Sequence, residues 1–495
     1  MSTLIELIDT SIRDGNQSLW SATGLNTAEV LEIAPQIDRV GYHALDFTSS
    51  THLAVSVRYH HEDPWERLRL VSAAMANTPL TFLTTGTRFI SWRPAADDVL
   101  ELAFATAVRN GVRRFQIMHP SNDAAALHSL ARMARRAGAQ EVVLALTYSL
   151  SPVHDDAHFA ARIGELTATR DAERFYLKDP GGLLVPERTR ALVAMLVAGA
   201  GERPVEVHSH CTTGLAPLVY LEAARAGARA LHTAVRPLAC GTSQPSAQNT
   251  LHNLREEGFS HALDEQALAL SSDYFAQLAA RKGLPTADMP EYDAAYYRHQ
   301  LPGGMASTMR RQLAEMRRGD LFDAALEEAE RVRSELGYPI MVTPLSQFVA
   351  TQAVMNLLAP ERYANVPDEV LRMVLGQFGE PAAPPDGAVL ERILSHPRAQ
   401  ELRDVEPLSL EGARERYGTT ISDEELLLRL TMPAEQVDAM LAGDGDGGGA
   451  PASASTQAQR SPLVRLLSEL ARRPAVGYLE LRTSEDLVRW RRGAR

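Results

Sequence analysis

Lysine is almost missing from this chain. Among 495 residues only Lys178 and Lys282 occur, and arginine supplies the rest of the 50 basic side chains. Such a bias replaces lysine wherever arginine will serve. A surviving lysine then points to a need for an amine that can lose its proton, which a guanidinium cannot do. Lys178, next to Asp179, fits that need better than Lys282. Cysteine is as scarce: Cys211 and Cys240 alone exclude a disulfide scaffold and fit a reducing cytosol. No apolar run approaches the ~18 residues of a membrane span. The opening MSTLIELIDT lacks the basic and apolar segments of a secretory leader, so a cytoplasmic location is expected. A basic excess is absent too. The 62 acidic side chains give a formal charge of −12, the opposite of a nucleic-acid-binding balance.

What is present is alternation. Short β-rich runs appear at Ile5–Asp9, Ala44–Phe47, Leu80–Thr84, Arg114–Met118, Val142–Thr147, Arg174–Asp179, Val205–His210 and Ala230–Val235. Stretches of helical periodicity separate them, such as 126–139 and 186–200. Alternating strand and helix predicts parallel strands with crossover helices, and eight strands in about 240 residues predict a (β/α)8 TIM barrel. An open doubly wound sheet is the competing architecture, but no G-x-G-x-x-G turn follows the first strand. Beyond residue 260 the pattern becomes mainly helical, with an amphipathic helix over 320–337 ended by Gly337 and Pro339. The expected organisation is a barrel domain over 1–260, a helical C-terminal domain over 261–441, a Gly/Ala/Ser-rich linker over 442–460, and a small tail over 461–495 of unassigned role.

Chemistry in such a barrel collects where strands end. Four polar clusters fall there: Asp9, Arg13, Asp14 and Gln17 after strand 1; Lys178 and Asp179 at strand 6; His208 and His210 at strand 7; Thr242, Ser243 and Gln244 after strand 8. His208 and His210 are two residues apart, so on a strand they share a face. Two imidazoles make half of a metal site, and Asp14 could complete it. The plain alternative is a hydrogen-bonded histidine pair in the core. Lys178 sits on the neighbouring strand. A neutral amine there can take up CO2 as a carbamate, an anionic oxygen ligand; a salt bridge with Asp179 is the plain alternative. For Cys211 and Cys240 small buried packing groups are the expected role.

DTSIRDGNQS (9–18) resembles the D-T-x-x-R-D-x-x-Q-S opening of the carboxyltransferase domain family shared by pyruvate carboxylase, the oxaloacetate decarboxylase alpha subunit and the transcarboxylase central subunit. Further motifs follow in the family's order: EDPWERL (62–68), YSLSPVH (148–154), LKDPGGLL (177–184), HSHCTTG (208–214), GTSQPS (241–246), QLPGGM (300–305) and ELGYPIMVTPLSQFVATQAVMN (335–356). SPVH and HSHCTTG are closer to the decarboxylase and transcarboxylase branch. The resemblance covers about residues 4–441. It implies a divalent metal (zinc, cobalt or manganese) held by Asp14, His208, His210 and carbamylated Lys178. It implies that Thr242 relays a proton between biotin and the substrate enol, with Arg13 and Gln17 beside the reacting carbonyl. It also implies a homodimer and a helical funnel over the barrel mouth.

The substrate side departs from the family. Strand 3 usually ends in L-R-G-x-N, whose Arg binds the carboxylate of pyruvate; here LTTGTRF puts Thr85 at that place, with Arg88 three residues on. Strand 4 runs into IMHPSND, bringing Met118 and His119, and the strand 2 region reads DFTSSTHLA, keeping only the acid Asp46. Thr85, Arg88, His119 and Asp46 are therefore the expected substrate-binding residues, and pyruvate is expected either not to be the preferred substrate or to be held differently. Biotin attachment needs a lysine, and none follows Lys282. Either a separate biotin carrier protein brings carboxybiotin, or biotin is not used. The leading expectation is a carboxyltransferase or decarboxylase acting on a small enolisable acid with biotin supplied in trans. The D-T-x-x-R-D-G-x-Q opening also resembles metal-dependent barrel lyases and acyl transferases, so a biotin-independent decarboxylase or lyase is the second. A non-catalytic scaffold of a biotin-dependent complex is the third.

Overall fold

The computed structural model of the chain describes residues 3–86, 95–403, 405–442, 478–482 and 487–491. Eight parallel strands close into a barrel: β1 (Glu6–Asp9), β2 (Ala44–Ser49), β3 (Leu80–Thr85), β4 (Val112–Met118), β5 (Glu141–Thr147), β6 (Arg174–Asp179), β7 (Val205–Ser209) and β8 (Ala230–Thr233), with β8 pairing back onto β1. Each strand lies within two residues of its expected bounds. The reason is plain in β5, EVVLALT: an apolar, β-branched run buried on both faces, as a strand between a barrel interior and a helix layer must be.

Register decides which side chains face the interior, because residues paired across parallel strands point the same way. The ladder runs Asp46–Thr81–Arg114–Glu141, then Ala145–Tyr176–Glu206, and Thr147–Lys178–His208. Arg114, Glu141, Tyr176, Lys178, Glu206 and His208 therefore share the inward phase. At the strand beginnings Arg114 is forked onto Glu206 at 2.6 and 2.7 Å and also bonds Glu141, while Arg174 reaches Glu6 at 2.7 Å and Glu141 at 2.9 Å. A paired ionic floor thus closes one end.

Helices connect the strands and end for local reasons. Helix Thr27–Val40 starts on a capping box between Asn26 and Glu29 and stops at Gly41, whose φ of 86° suits glycine. Helix Pro64–Ala74 begins with proline at its first turn under an Asp63 cap.

The chain divides into two compact units, Met1–Asp293 with Pro407–Gly445, and Ala294–Glu406 with Asp446–Arg495. The expected boundary at 260/261 is therefore displaced, and residues 407–441 return to the barrel's unit. Helix Glu265–Lys282 packs on Thr27–Val40, where Lys282 Nζ bonds Glu29 at 2.8 Å and Tyr274 donates to the Glu29 carbonyl at 2.9 Å. Lys282 is thus a structural ion pair. Asn110 Nδ2 donates to Glu424 at 2.8 Å and Trp65 Nε1 to the Glu424 carbonyl at 3.2 Å, tying helix Asp423–Thr431 to the barrel helices. Amphipathic periodicity shows that these helices bury one face; it does not show against which core.

The second unit is helical. Gly303–Glu315, Phe322–Glu335, Leu345–Leu358 and Asp368–Val374 share a core that includes Leu313, Val332, Val349 and Leu371. The helix expected over 320–337 forms as a short 3-10 turn, Gly319–Leu321, running into Phe322–Glu335, with Gly337 at φ 80° beyond it. Tail strands β9 (Tyr478–Arg482) and β10 (Leu487–Arg491) pair antiparallel. The expected linker falls almost wholly outside the described residues. Among the described residues no helix is long and apolar enough to cross a membrane.

Candidate metal and carboxyl-transfer site

Asp14 reaches the barrel mouth on a π-turn, Ser11–Gly15, that follows β1 and runs straight into helix Asn16–Trp20. The turn is pinned from below: the Ser11 hydroxyl and backbone N–H donate to Asp9 Oδ1 at 2.5 and 3.0 Å. Asp9 is thereby a structural anchor. Around Asp14 Oδ2 stand His208 Nε2 at 3.3 Å, His210 Nε2 at 3.6 Å and Arg13 Nη2 at 3.1 Å. Asp14, His208 and His210 each offer a ligand atom, all within 4.8 Å of one another. The expected trio is brought together.

The other ring nitrogens set the tautomers. His210 Nδ1 lies 2.6 Å from the Thr242 carbonyl, which can only accept, so Nδ1 carries the proton and donates. His208 Nδ1 lies 3.2 Å from His232 Nδ1. Gln244 bridges the pair: its Oε1 accepts from the Thr10 hydroxyl at 2.7 Å, and its Nε2 lies 3.2 Å from His210 Nε2 and 3.5 Å from His208 Nε2. Two imidazoles converging on one carboxylate oxygen fit a divalent cation of borderline softness.

Burial alone would raise the Asp14 pKa, but Arg13 and the two imidazoles outweigh it and hold the carboxyl well below its ordinary range. Burial outweighs Asp14 at His208 and pushes that imidazole well below its ordinary range, so it is neutral and ready to ligate. Lys178 is buried beside His208 in the ladder; its ammonium lies 5.9 Å from the Tyr176 ring centroid and makes no side-chain hydrogen bond or ion pair with any described residue. Burial first, then Arg13, lowers its ammonium to about 8. Asp179 is not its partner; that carboxylate accepts from Leu183 N, Leu184 N and Ser209 Oγ at 2.8–2.9 Å. The salt-bridge alternative for Lys178 and Asp179 is thereby removed.

Arg13 is committed sideways: its Nε and Nη2 bond Asp46 Oδ2 at 2.9 and 2.5 Å. Asp46 keeps its other oxygen without a partner. Thr242 stands at the rim, its hydroxyl donating to the Ser18 carbonyl at 3.0 Å, while the Ser18 hydroxyl donates to Asp14 Oδ1 at 3.3 Å. Gln17 is half-buried on the helix after the π-turn. Thr85 ends β3 in register with Met118, and the pair shares the inward phase of Arg114. His119 falls one residue out of that phase, with Nδ1 accepting from the Ser121 backbone and its ring under Gly86. Arg88 lies outside the described residues. Cys211 and Cys240 are buried free thiols. Sequence reasoning passes over Glu206, His232 and Ser18. The usable signal for the first two is an ionisable residue at alternate positions of a buried strand.

Residues 4–273 match the HMGL-like family and 296–447 the conserved carboxylase domain. A pyruvate carboxylase subunit of Methanocaldococcus jannaschii is 36% identical over 392 residues, 79% of this chain and 68% of that protein. The 2-oxoglutarate carboxylase large subunit of Hydrogenobacter thermophilus is 30% identical over 451 residues, 88% and 68%. The carboxyl transferase domain of Rhizobium etli pyruvate carboxylase superposes with a TM-score of 0.80 at 24% identity, covering 90% of this chain and 78% of that one, a likeness of fold. An eight-stranded barrel with its polar cluster at the strand ends defines a barrel enzyme. The chain belongs to the carboxyltransferase family of biotin-dependent carboxylases, as its motifs implied.

Proposed function

We propose that the chain moves a carboxyl group between carboxybiotin, borne by a separate carrier protein, and the carbon beside the ketone of a small 2-oxo acid other than pyruvate. The convergence of two imidazole Nε2 atoms on Asp14 Oδ2, with Arg13 at 3.1 Å, carries this reading. Asp14, His208, His210 and a carbamate on Lys178 would hold zinc, cobalt or manganese, which when bound supplies a Lewis acid for an enolate oxygen. Arg13 stabilises the same developing charge by donation, and Asp46 fixes where it points. Thr242 passes a proton, giving one as it takes another, so that the enol and the ureido nitrogen of biotin exchange roles without water. Gln17 orients the reacting carbonyl.

Thr85 supports the substrate assignment. An uncharged hydroxyl stands at the place where the family sets an arginine, and Arg13 is already bound to two acids. A buried carboxylate held there without a cation would be costly, so the family's way of seating pyruvate is lost and the carboxylate of any 2-oxo acid needs another cation, for which Arg88 is proposed. Thr85, Arg88, His119 and Asp46 are the proposed substrate-side residues. No lysine follows Lys282, so biotin would arrive on a lysine outside these residues. A biotin-independent lyase is the second reading, favoured by the HMGL-like match over 4–273. A scaffold would have no use for these buried ligand atoms.

The test is release of CO2 from β-carboxylated 2-oxo acids by metal-loaded protein, with free biotin as acceptor. Faster turnover of oxalosuccinate than of oxaloacetate, dependent on biotin and stopped by avidin, is expected. Preference for oxaloacetate would overturn the substrate assignment. A rate indifferent to biotin and avidin would favour the lyase.

A further inference from the structure

Behind His208 a line of polar groups runs down the inside of the barrel to its ionic floor. His208 Nδ1 is 3.2 Å from His232 Nδ1, and His232 Nε2 is 2.9 Å from Glu206 Oε2. Glu206 is in turn forked by Arg114 at 2.6 and 2.7 Å. All four groups are buried, Glu206 and His232 completely. The His232 ring is stacked on Tyr176, with centroids 5.6 Å apart and planes within 8°.

The order of protons along this line follows from what each atom can do. Arg114 donates to both oxygens of Glu206, so the acid is a carboxylate and its oxygens only accept. His232 Nε2 must then carry a hydrogen, since a lone pair there would face a carboxylate oxygen. Arg114 already balances the Glu206 charge, and a second hydrogen would make His232 a fully buried cation with no acid of its own, so its Nδ1 is a lone pair. That lone pair needs a donor, and His208 Nδ1 supplies it. His208 is left with a lone pair on Nε2, and the Gln244 amide, whose oxygen is taken by Thr10, is the donor that faces it at 3.5 Å beside Asp14.

We infer that His232 and Glu206 are positioning residues: they lock His208 in its Nδ1–H form and so keep Nε2 permanently presented to a cation beside Asp14. This rests on the reading of His208 as a metal ligand. A histidine ligand's outer hydrogen-bond partner commonly fixes its tautomer, and losing one costs about 10–100-fold in metal affinity. Here the partner is a second histidine, itself fixed by a buried carboxylate. The arrangement ties the site to the paired charges at the far end of the barrel.

Two variants separate this role from packing. His232→Leu removes the acceptor. His232→Asn places an amide oxygen near where Nδ1 was and restores it. The metal-free protein, labelled with 15N-histidine, reports tautomers directly by NMR. The wild type should show His208 protonated at Nδ1. His232→Leu should show a mixture or the Nε2–H form, and its Co2+ dissociation constant, by chelator competition, should rise about 10–100-fold. His232→Asn should return both readouts towards wild type. A wild-type His208 protonated at Nε2 would overturn the inference, even if the leucine variant fails to fold. So would a leucine variant with unchanged tautomer and affinity. Failure of Co2+ to bind the wild type, with the tautomer as expected, would instead count against the metal reading of the site.

Discussion

The carbonyl of Thr242 accepts a hydrogen bond from His210 Nδ1 at 2.6 Å, while the Thr242 hydroxyl turns the other way, to Ser18 O at 3.0 Å. One residue thus orients a candidate metal ligand through its backbone and offers a proton carrier through its side chain. The two duties can be separated. Thr242→Ala keeps the carbonyl, so metal content and affinity should stay at wild-type values. Turnover should fall about 10²–10⁴-fold with loss of the relay. His210→Ala should lose metal as well. Loss of metal from Thr242→Ala would place the hydroxyl in the metal site instead.

Lys178 gives a prediction in which stability and function oppose each other. A buried ammonium with no ion-pair partner burdens the folded state. Its pKa falls from 10.5 to about 8, so the burden is full below pH 8 and is relieved as pH rises towards 10.5, where the unfolded chain also loses the proton. In CO2-free buffer Lys178→Met should therefore unfold at higher urea at pH 7, by on the order of 2–3 kcal/mol. The gap should close between pH 8 and 10.5. With 13C-bicarbonate the wild type should gain a carbamate resonance that Lys178→Met and Lys178→Arg lack. An equally strong resonance in the arginine variant would exclude Lys178 as its source.

Arg13 and Asp46 are 33 positions apart and meet in the interior. Removing the acid strands a buried guanidinium beside Asp14. Asp46→Ala should cost about 3–5 kcal/mol by urea unfolding. It should also lower kcat and raise KM, because Arg13 would be free to collapse onto Asp14 and a proposed substrate-side group is lost. An unchanged KM would remove Asp46 from the substrate side and leave it only the task of holding Arg13.

The legible and illegible parts of this molecule differ in range. Strand positions are readable because a barrel strand needs an apolar run, and runs such as VVLALT are local. The H-x-H spacing puts His208 on a face with a partner, and the near absence of lysine singles out Lys178. Long-range pairing leaves no local trace. Glu206 reads as one acid inside VEVHS and His232 as one polar residue inside ALHT. Only strand register shows that both face the interior. Arg13 looks available to substrate in the sequence because Asp46 binds it from another strand. Helices 265–282 and 423–431 show one apolar face each, and that pattern does not name the core they join.

The floor of the barrel yields a pH test away from the candidate site. His43 precedes β2, with Nε2 3.1 Å from both oxygens of Glu141 and Nδ1 3.6 Å from Glu6. Burial opposes its charge, but the two acids outweigh it and raise the imidazole from 6.5 to about 9. A raised pKa adds stability that is complete below pH 6.5 and disappears as pH climbs through about 9. Glu6 and Glu141, held down to about 2, carry the opposite dependence: their contribution is lost only as pH drops from 4.5 towards 2. Between pH 6.5 and 9, therefore, His43 is the member of this cluster that titrates. The difference in urea-unfolding free energy between wild type and His43→Gln should shrink over that interval by about 1–2 kcal/mol, allowing for partial solvent screening. Taking a difference removes the contribution of Lys178, which both proteins share. A gap that stays constant from pH 6 to 9.5 would mean that His43 is uncharged in the folded chain, and that Arg174 alone neutralises Glu6 at this end of the barrel.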